Sequence, residues 1–186
     1  GAMHDVDPQA PQPAPGEAPE QRVALFVDTQ NLYYAARDNH AASVDYRTLL
    51  EACLRGRRLA HANAYVVERD GDTTAFGFYG KLTALGYRVK RRKVRVHRAD
   101  DDGAPRMEGD WDMGIAADIV RAVDHADVIV LASGDADFAP ILQLAQERGK
   151  RVEVMAFRET AGQDLYDLSD RFVGLGEVQG IFLPSR

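Results

Sequence analysis

Two apolar runs in this 186-residue chain end in carboxylates. Val23-Ala24-Leu25-Phe26-Val27 stops at Asp28, followed by Thr29-Gln30-Asn31. The run from Asp127 to Ala132 stops at Ser133-Gly134-Asp135-Ala136-Asp137. A third acidic group, Gly109-Asp110-Trp111-Asp112, opens a helical pattern. Brought together, Asp28, Asp112, Asp135 and Asp137 would repel one another until a cation neutralised them. Oxygen ligands without His or Cys favour Mg²⁺ or Mn²⁺. A carboxylate-held metal is a known solution for phosphodiester hydrolysis. Each acid also has an ordinary alternative, because Asp after a strand commonly shapes a turn or caps the next helix. Asp137 could cap the helix after it, and Asp112 could sit at the positive end of its own.

Neighbouring residues extend the set. Asn31, three positions after Asp28, could hold a carboxylate or phosphate oxygen, or cap the first helix. Thr29 and Ser133 offer hydroxyls behind the acids, or serve their turns. Asp118 lies six residues beyond Asp112, roughly 120° around the same helix, which places it at a cleft rim or on a solvated face. Rival chemistries fail on the same loops. The loop after the first strand lacks the Gly-x-Gly-x-x-Gly of dinucleotide folds, and no Gly-x-x-x-x-Gly-Lys-Ser/Thr occurs. Ser133-Gly134-Asp135 is not a nucleophile elbow, and Asp135-x-Asp137 lacks the rest of a calcium loop. Gln30 stands where a phosphoaspartate transferase of the haloacid dehalogenase type needs its second Asp.

The elements that must position these residues alternate. Strands are expected at 23–27, 62–67, 87–96, 127–132 and 151–157. Helices are expected at 31–37, from an Asp45 cap through Arg57, from Thr73 or Thr74 to Leu85, and at 110–125, 136–148 and 164–168. Further apolar pieces stand at Phe172-Val173 and Ile181-Phe182-Leu183, and 100–105 reads as a loop. Alternation at this spacing implies βαβ units and a parallel sheet covered on both faces, with ligands outside the carboxyl ends of the strands. Residues 1–21 stand apart: they hold five of the eight prolines and no Lys or Arg before Arg22, so a disordered Pro-rich tail is expected. Gly1-Ala2 ahead of Met3 reads as a scar of tag cleavage. The folded domain is expected over 22–186.

Net charge is −6, from 23 cations and 29 anions. Seven of those cations fall between Arg88 and Arg98: Arg88, Lys90, Arg91, Arg92, Lys93, Arg95 and Arg98. On an edge strand they could grip a phosphate backbone, or use charge to block sheet-to-sheet aggregation. Tyr33, Tyr34 and Trp111 flank the acids and could stack on bases or pack on helix faces. The single cysteine, Cys53, excludes an internal disulfide and a Cys-based zinc site. The five histidines show no ligand spacing. With no membrane-length apolar run and no signal-peptide pattern, a reducing, cytoplasmic setting is expected.

Three motifs in order resemble the NYN domains, in particular the LabA-like branch of the PIN-like nucleases. Residues 23–34 (Val-Ala-Leu-Phe-Val-Asp-Thr-Gln-Asn-Leu-Tyr-Tyr) resemble the opening motif, 109–118 the central Gly-x-x-Asp…Asp helix, and 130–141 the Ser-Gly-Asp-x-Asp-Phe signature; 149–157 fits the following strand. The resemblance spans residues 22–175. It implies a three-layer PIN-like (Rossmann-like) α/β fold with a mostly parallel sheet. It also implies a Mg²⁺- or Mn²⁺-dependent ribonuclease with Asp28, Asp112, Asp135 and Asp137 at the metal site, Asn31 beside them, and Asp118 matching the second Asp of the helix motif. Two positions depart from the family pattern, Thr29 for Gly and Glu108 for Lys, and the latter removes a phosphate contact. RNA, single-stranded or structured, is the expected partner. A homodimer is left open, as is the alternative of a catalytically silent RNA- or protein-binding module on the same fold.

Overall fold

A computed structural model describes residues 15–69, 75–97, 106–108 and 110–184. The elements run β1 (Arg22–Asp28), α1 (Thr29–His40), α2 (Tyr46–Leu54), β2 (Arg58–Arg69), α3 (Ala75–Leu85), β3 (Tyr87–His97), β4 (Arg106–Glu108), α4 (Asp112–Ala122), β5 (Val128–Ala132), α5 (Ala139–Glu147), β6 (Arg151–Ala156), α6 (Gln163–Leu168) and β7 (Arg171–Gly174). They form one sheet of order β4-β3-β2-β1-β5-β6-β7, in which only β4 is antiparallel.

The apolar run of β1 is buried because it is central. Val23, Leu25 and Val27 join one core layer with residues of α1, α2 and α3, while Ala24 and Phe26 join the other with residues of α4, α5 and α6. Strand order reverses at β1, with β2 on one side and β5 on the other. This is the switch point where open α/β sheets place their ligands, and it holds the end of β1 beside the end of β5 through the Val27–Ala132 pair.

Several expectations shift. Asp45 caps α2, its carboxylate accepting from Arg47 N and Thr48 N. The helix stops at Leu54 rather than Arg57, because Arg55 adopts a left-handed conformation and Gly56 follows at φ 80°. α4 spans Asp112–Ala122 instead of 110–125. β4 and β7, three and four residues long, are too short to show a periodic pattern. β4 closes the outer side of β3 only at Arg95–His97; among the described residues Arg88–Lys93 pair with β2 alone and keep the expected edge, and Arg95 does not. Thr73, Thr74, Arg98, the 100–105 loop and residues 1–14 lie outside the described residues.

The expected tail does not extend to residue 21. The Glu17 side chain has no exposed surface and pairs with Arg171 at 2.7 Å and Arg55 at 3.4 Å. Gln21 bonds back to Gly16 O and Ala18 N. A carboxylate with two guanidinium partners overcomes the desolvation that would otherwise keep it in water. Below it, Arg57 and Glu153 form a bidentate pair at 2.8 Å, each almost fully buried, with Arg151 as a further partner of Glu153.

Candidate active site

The acids meet at the carboxyl edge of the sheet. Asp28, at the end of β1, does two jobs. Its Oδ1 accepts Asn31 N and so caps α1, while its Oδ2 accepts the Ser133 hydroxyl at 3.0 Å. Asp135 repeats the arrangement after β5: its Oδ1 accepts Asp137 N at 2.9 Å and caps a short 3-10 turn, Ala136–Phe138. The capping alternative therefore holds for Asp28 and Asp135, but not for Asp137, which lies inside the turn that Asp135 caps and does not cap α5, whose N-cap is Phe138 without a side-chain bond. A capping carboxylate still presents its other oxygen.

Oxygen atoms of Asp112, Asp135 and Asp137 all lie within 4.8 Å of one another. Asp112 is brought there by α4, which is anchored through Ile115, Ile119 and Ala122 in the core. The loop before it is pinned by the Trp111 indole N–H, which donates to Val66 O at 3.0 Å. Gly114 is required for this: a Cβ there would stand 2.7 Å from the Trp111 ring. Ser133 bridges the two strand ends, donating to Asp28 and accepting Asp135 N. Asn31 Oδ1 accepts Gly134 N at 2.9 Å, which ties α1 to the same loop and leaves the amide nitrogen as its end for an outside oxygen. Gly134 is itself crowded, since a Cβ would meet the backbone of Thr160 and Ala161 at 3.2 Å.

The electrostatics report the crowding. Burial, followed by the Asp110, Asp135 and Asp28 carboxylates, pushes the Asp112 carboxyl up to about 7. Burial also raises Asp28, against the lowering by Asn31 N–H and the Ser133 hydroxyl, and Asp135 and Asp110 push the same way. Acids held together at such cost suit a hard divalent cation, and the donor set is all oxygen. The cleft, about 320 Å³, is lined by Asp28, Asn31, Asp112 and Asp135, and also by Asp38 and Asp110. These last two were not among the expected ligands. Asp110 was visible two residues before Asp112, and Asp38 shares a helical face with Asn31 and Ala35 at spacings of four and three.

Other expected residues stand elsewhere. Asp118 faces away from the acids: Tyr65 OH, Lys90 and Arg121 all donate to it. Burial opposes its ionisation, yet Lys90, Tyr65 and Arg121 outweigh that and hold its carboxyl below the usual range. Thr29 Oγ1 donates to Tyr65 O, so its hydroxyl serves the sheet rather than the acids. The cations of β3 divide between both faces of the sheet. Arg88, Lys90 and Arg92 alternate with Arg91 and Lys93, so they form no single stripe. Lys90 is level with Asp28 through Tyr65, and β2 and β3 run on for four more pairs, from Val66–Arg91 to Arg69–Val94. This overhang forms a wall beside the cleft. From it, Arg92 donates to Asp110 O at 2.7 Å and stacks over Trp111 at 4.3 Å. Arg91 lies over Tyr79 and pairs with Glu68 at 3.6 Å. Trp111 is thereby occupied in packing, also against Tyr65. Burial pushes the Cys53 thiol up to about 12, so it is no nucleophile at neutral pH.

The acidic cleft at the switch point of a three-layer α/β sheet accompanies a match to a nuclease-like family of PIN-like type. The NYN domain family matches residues 22–176, and the chain belongs to that family. It is 26% identical over 160 residues to the Low amplitude and bright protein LabA of Synechococcus elongatus, covering 85% of this chain and 86% of that one. The crystal structure of a protein of unknown function, VPA0982 from Vibrio parahaemolyticus, superposes with a TM-score of 0.77 at 27% identity, over 90% of this chain and 99% of the other. Among the described residues, no helix is long and apolar enough to cross a membrane.

Proposed function

We propose that the chain is a metal-dependent ribonuclease whose carboxylate cleft hydrolyses phosphodiester bonds. The observation that carries this reading is the cluster of Asp112, Asp135 and Asp137, of which Asp112 and Asp135 also line the cleft with Asp28 at the switch point. Asp112, Asp135 and Asp137 would hold Mg²⁺ or Mn²⁺, with Asp28 behind them. A bound ion would supply water activation and charge stabilisation at the leaving oxygen. The chain's own residues do the positioning. Ser133 and Asn31 lock the two strand-end loops in register, so the carboxylates are aimed before substrate arrives. The Asn31 amide nitrogen is placed to contact a phosphate oxygen. Arg92, fixed to Asp110 and Trp111 at the cleft wall, is the member of the basic segment best placed to meet a phosphate backbone. Lys93, on the overhang, would add a sequence-independent contact, whereas Arg88, paired with Asn63, stands below the level of Asp28 and off the overhang. Lys90, engaged with Asp118, contributes less.

The test is cleavage of end-labelled RNA with Mn²⁺, compared with EDTA and with Asp28→Asn and Asp135→Asn. Turnover that requires metal and both acids supports the assignment. Turnover that survives EDTA and both substitutions removes it. RNA binding without turnover under any divalent metal would make the domain a silent binding module instead.

A further inference from the structure

A second pocket, about 500 Å³, adjoins the acidic cleft and shares Gln30, Tyr34 and Val67 with it. Its size falls in the ~300–1,000 Å³ range of small-molecule sites. It opens between α1, α2, α3 and the overhang of β2. Its walls are aromatic: Tyr46 and Phe78 meet edge to face at 5.5 Å, and Tyr33 and Tyr34 at 5.4 Å. Glu68 also lines it. Arg37 stands at the mouth, with its guanidinium 4.8 Å from the Tyr34 ring centroid.

We propose that this pocket receives one unstacked nucleobase of the strand whose phosphate lies in the acidic cleft. The assignment rests on the nuclease reading. Three observations select a base as the occupant. The pocket is continuous with the cleft through shared residues, as a nucleotide neighbouring the scissile phosphate requires. Its rings offer π-faces to a flat heterocycle, and such stacking tolerates any base. Its charge is balanced rather than cationic: Glu68 inside pairs with Arg91 at 3.6 Å and keeps oxygen acceptors for the N–H groups of a base, while Arg37 at the mouth pairs with Asp38 at 2.9 Å. Tyr33, half exposed, extends the stacking surface outward.

The test is fluorescence anisotropy of a short labelled RNA in Ca²⁺, against copies carrying an abasic residue at each position in turn. One position is expected to lose roughly tenfold in affinity on removal of its base, the others far less. Ser43→Trp, at the exposed rim, is expected to plug the pocket and lower the intact RNA to the affinity of that abasic copy. Equal binding of every abasic copy by the unaltered protein overturns the assignment, and this arm needs no variant to fold. A folded Ser43→Trp protein that binds RNA undiminished also overturns it. The two readings fail separately. The positional penalty without Mn²⁺ cleavage sinks the nuclease and keeps the pocket. Cleavage without the penalty does the reverse.

Discussion

Replacing Asp112 with Asn should stabilise the metal-free protein above neutral pH, although it removes a residue proposed as a ligand. The Asp112 carboxyl moves from an ordinary 3.8 up to about 7 in the fold, through burial and the Asp110, Asp135 and Asp28 charges. A raised carboxyl binds its proton more tightly folded than unfolded. The folded state is therefore favoured most below about 4 and loses this contribution as pH rises through about 7. Roughly 3 pH units would correspond to about 4 kcal/mol for a fully buried group. Asp112 lines an open cleft, so solvent screening reduces this to ~1–2 kcal/mol. The carboxamide of the variant has no charge to desolvate. Urea unfolding from pH 5 to pH 8 in EDTA, with unaltered protein and Asp112→Asn compared at each pH, isolates the effect from other titrating groups. The difference should already favour the variant at pH 5, by about a third of the full effect, and reach its full size at pH 8. Saturating Mn²⁺ should reverse the order, because a bound cation replaces the proton. A variant no more stable than its parent at pH 8 in EDTA would refute the electrostatic argument.

Further outcomes follow from the same geometry. Glu153→Ala strands the buried Arg57 guanidinium and should cost ~3–5 kcal/mol by urea unfolding. Glu153→Gln, which keeps an acceptor, should cost less. Gly114→Ala forces the Trp111 ring to shift and should cost ~1–3 kcal/mol while lowering Mn²⁺ affinity, read by calorimetry. His61, pushed down to about 4 by burial and then by His125 and Arg88, stays neutral in the fold but charges at an ordinary 6.5 when unfolded. Stability should consequently fall as pH drops from about 6.5 to 4, and His61→Gln should flatten that slope in urea midpoints. Asp118→Asn, away from the metal cluster, should leave Mn²⁺ affinity unchanged but lower the thermal midpoint, because Lys90 and Arg121 lose their shared anion.

The layered sheet was legible because the β1 and β5 runs are apolar throughout, as only central strands covered on both faces are, and because Asp28 and Ser133–Asp137 mark their carboxyl ends. What escaped depends on partners distant in sequence. Glu17 reads as part of a polar tail until Arg171, 154 residues away, is found beside it. β4 and β7 exist through pairing, not periodicity. The basic segment reads as a stripe in composition, but strand alternation sends Lys90 to Asp118 and Arg91 to Glu68 on opposite faces. Asp38 was passed over because it sits inside a helix and follows no apolar run, and Asp110 because only Asp112 of its group matched the motif position. Asp118 matched a motif, yet its position around α4 sends it to Tyr65 and Lys90.

The central claim is a divalent cation held by three carboxylates beside Asp28. Crystals soaked in Mn²⁺ and measured for anomalous scattering test it most directly. The account predicts a peak coordinated by oxygens of Asp112, Asp135 and Asp137, lost in Asp135→Asn crystals. Saturating Mn²⁺ with no peak among these residues would contradict it.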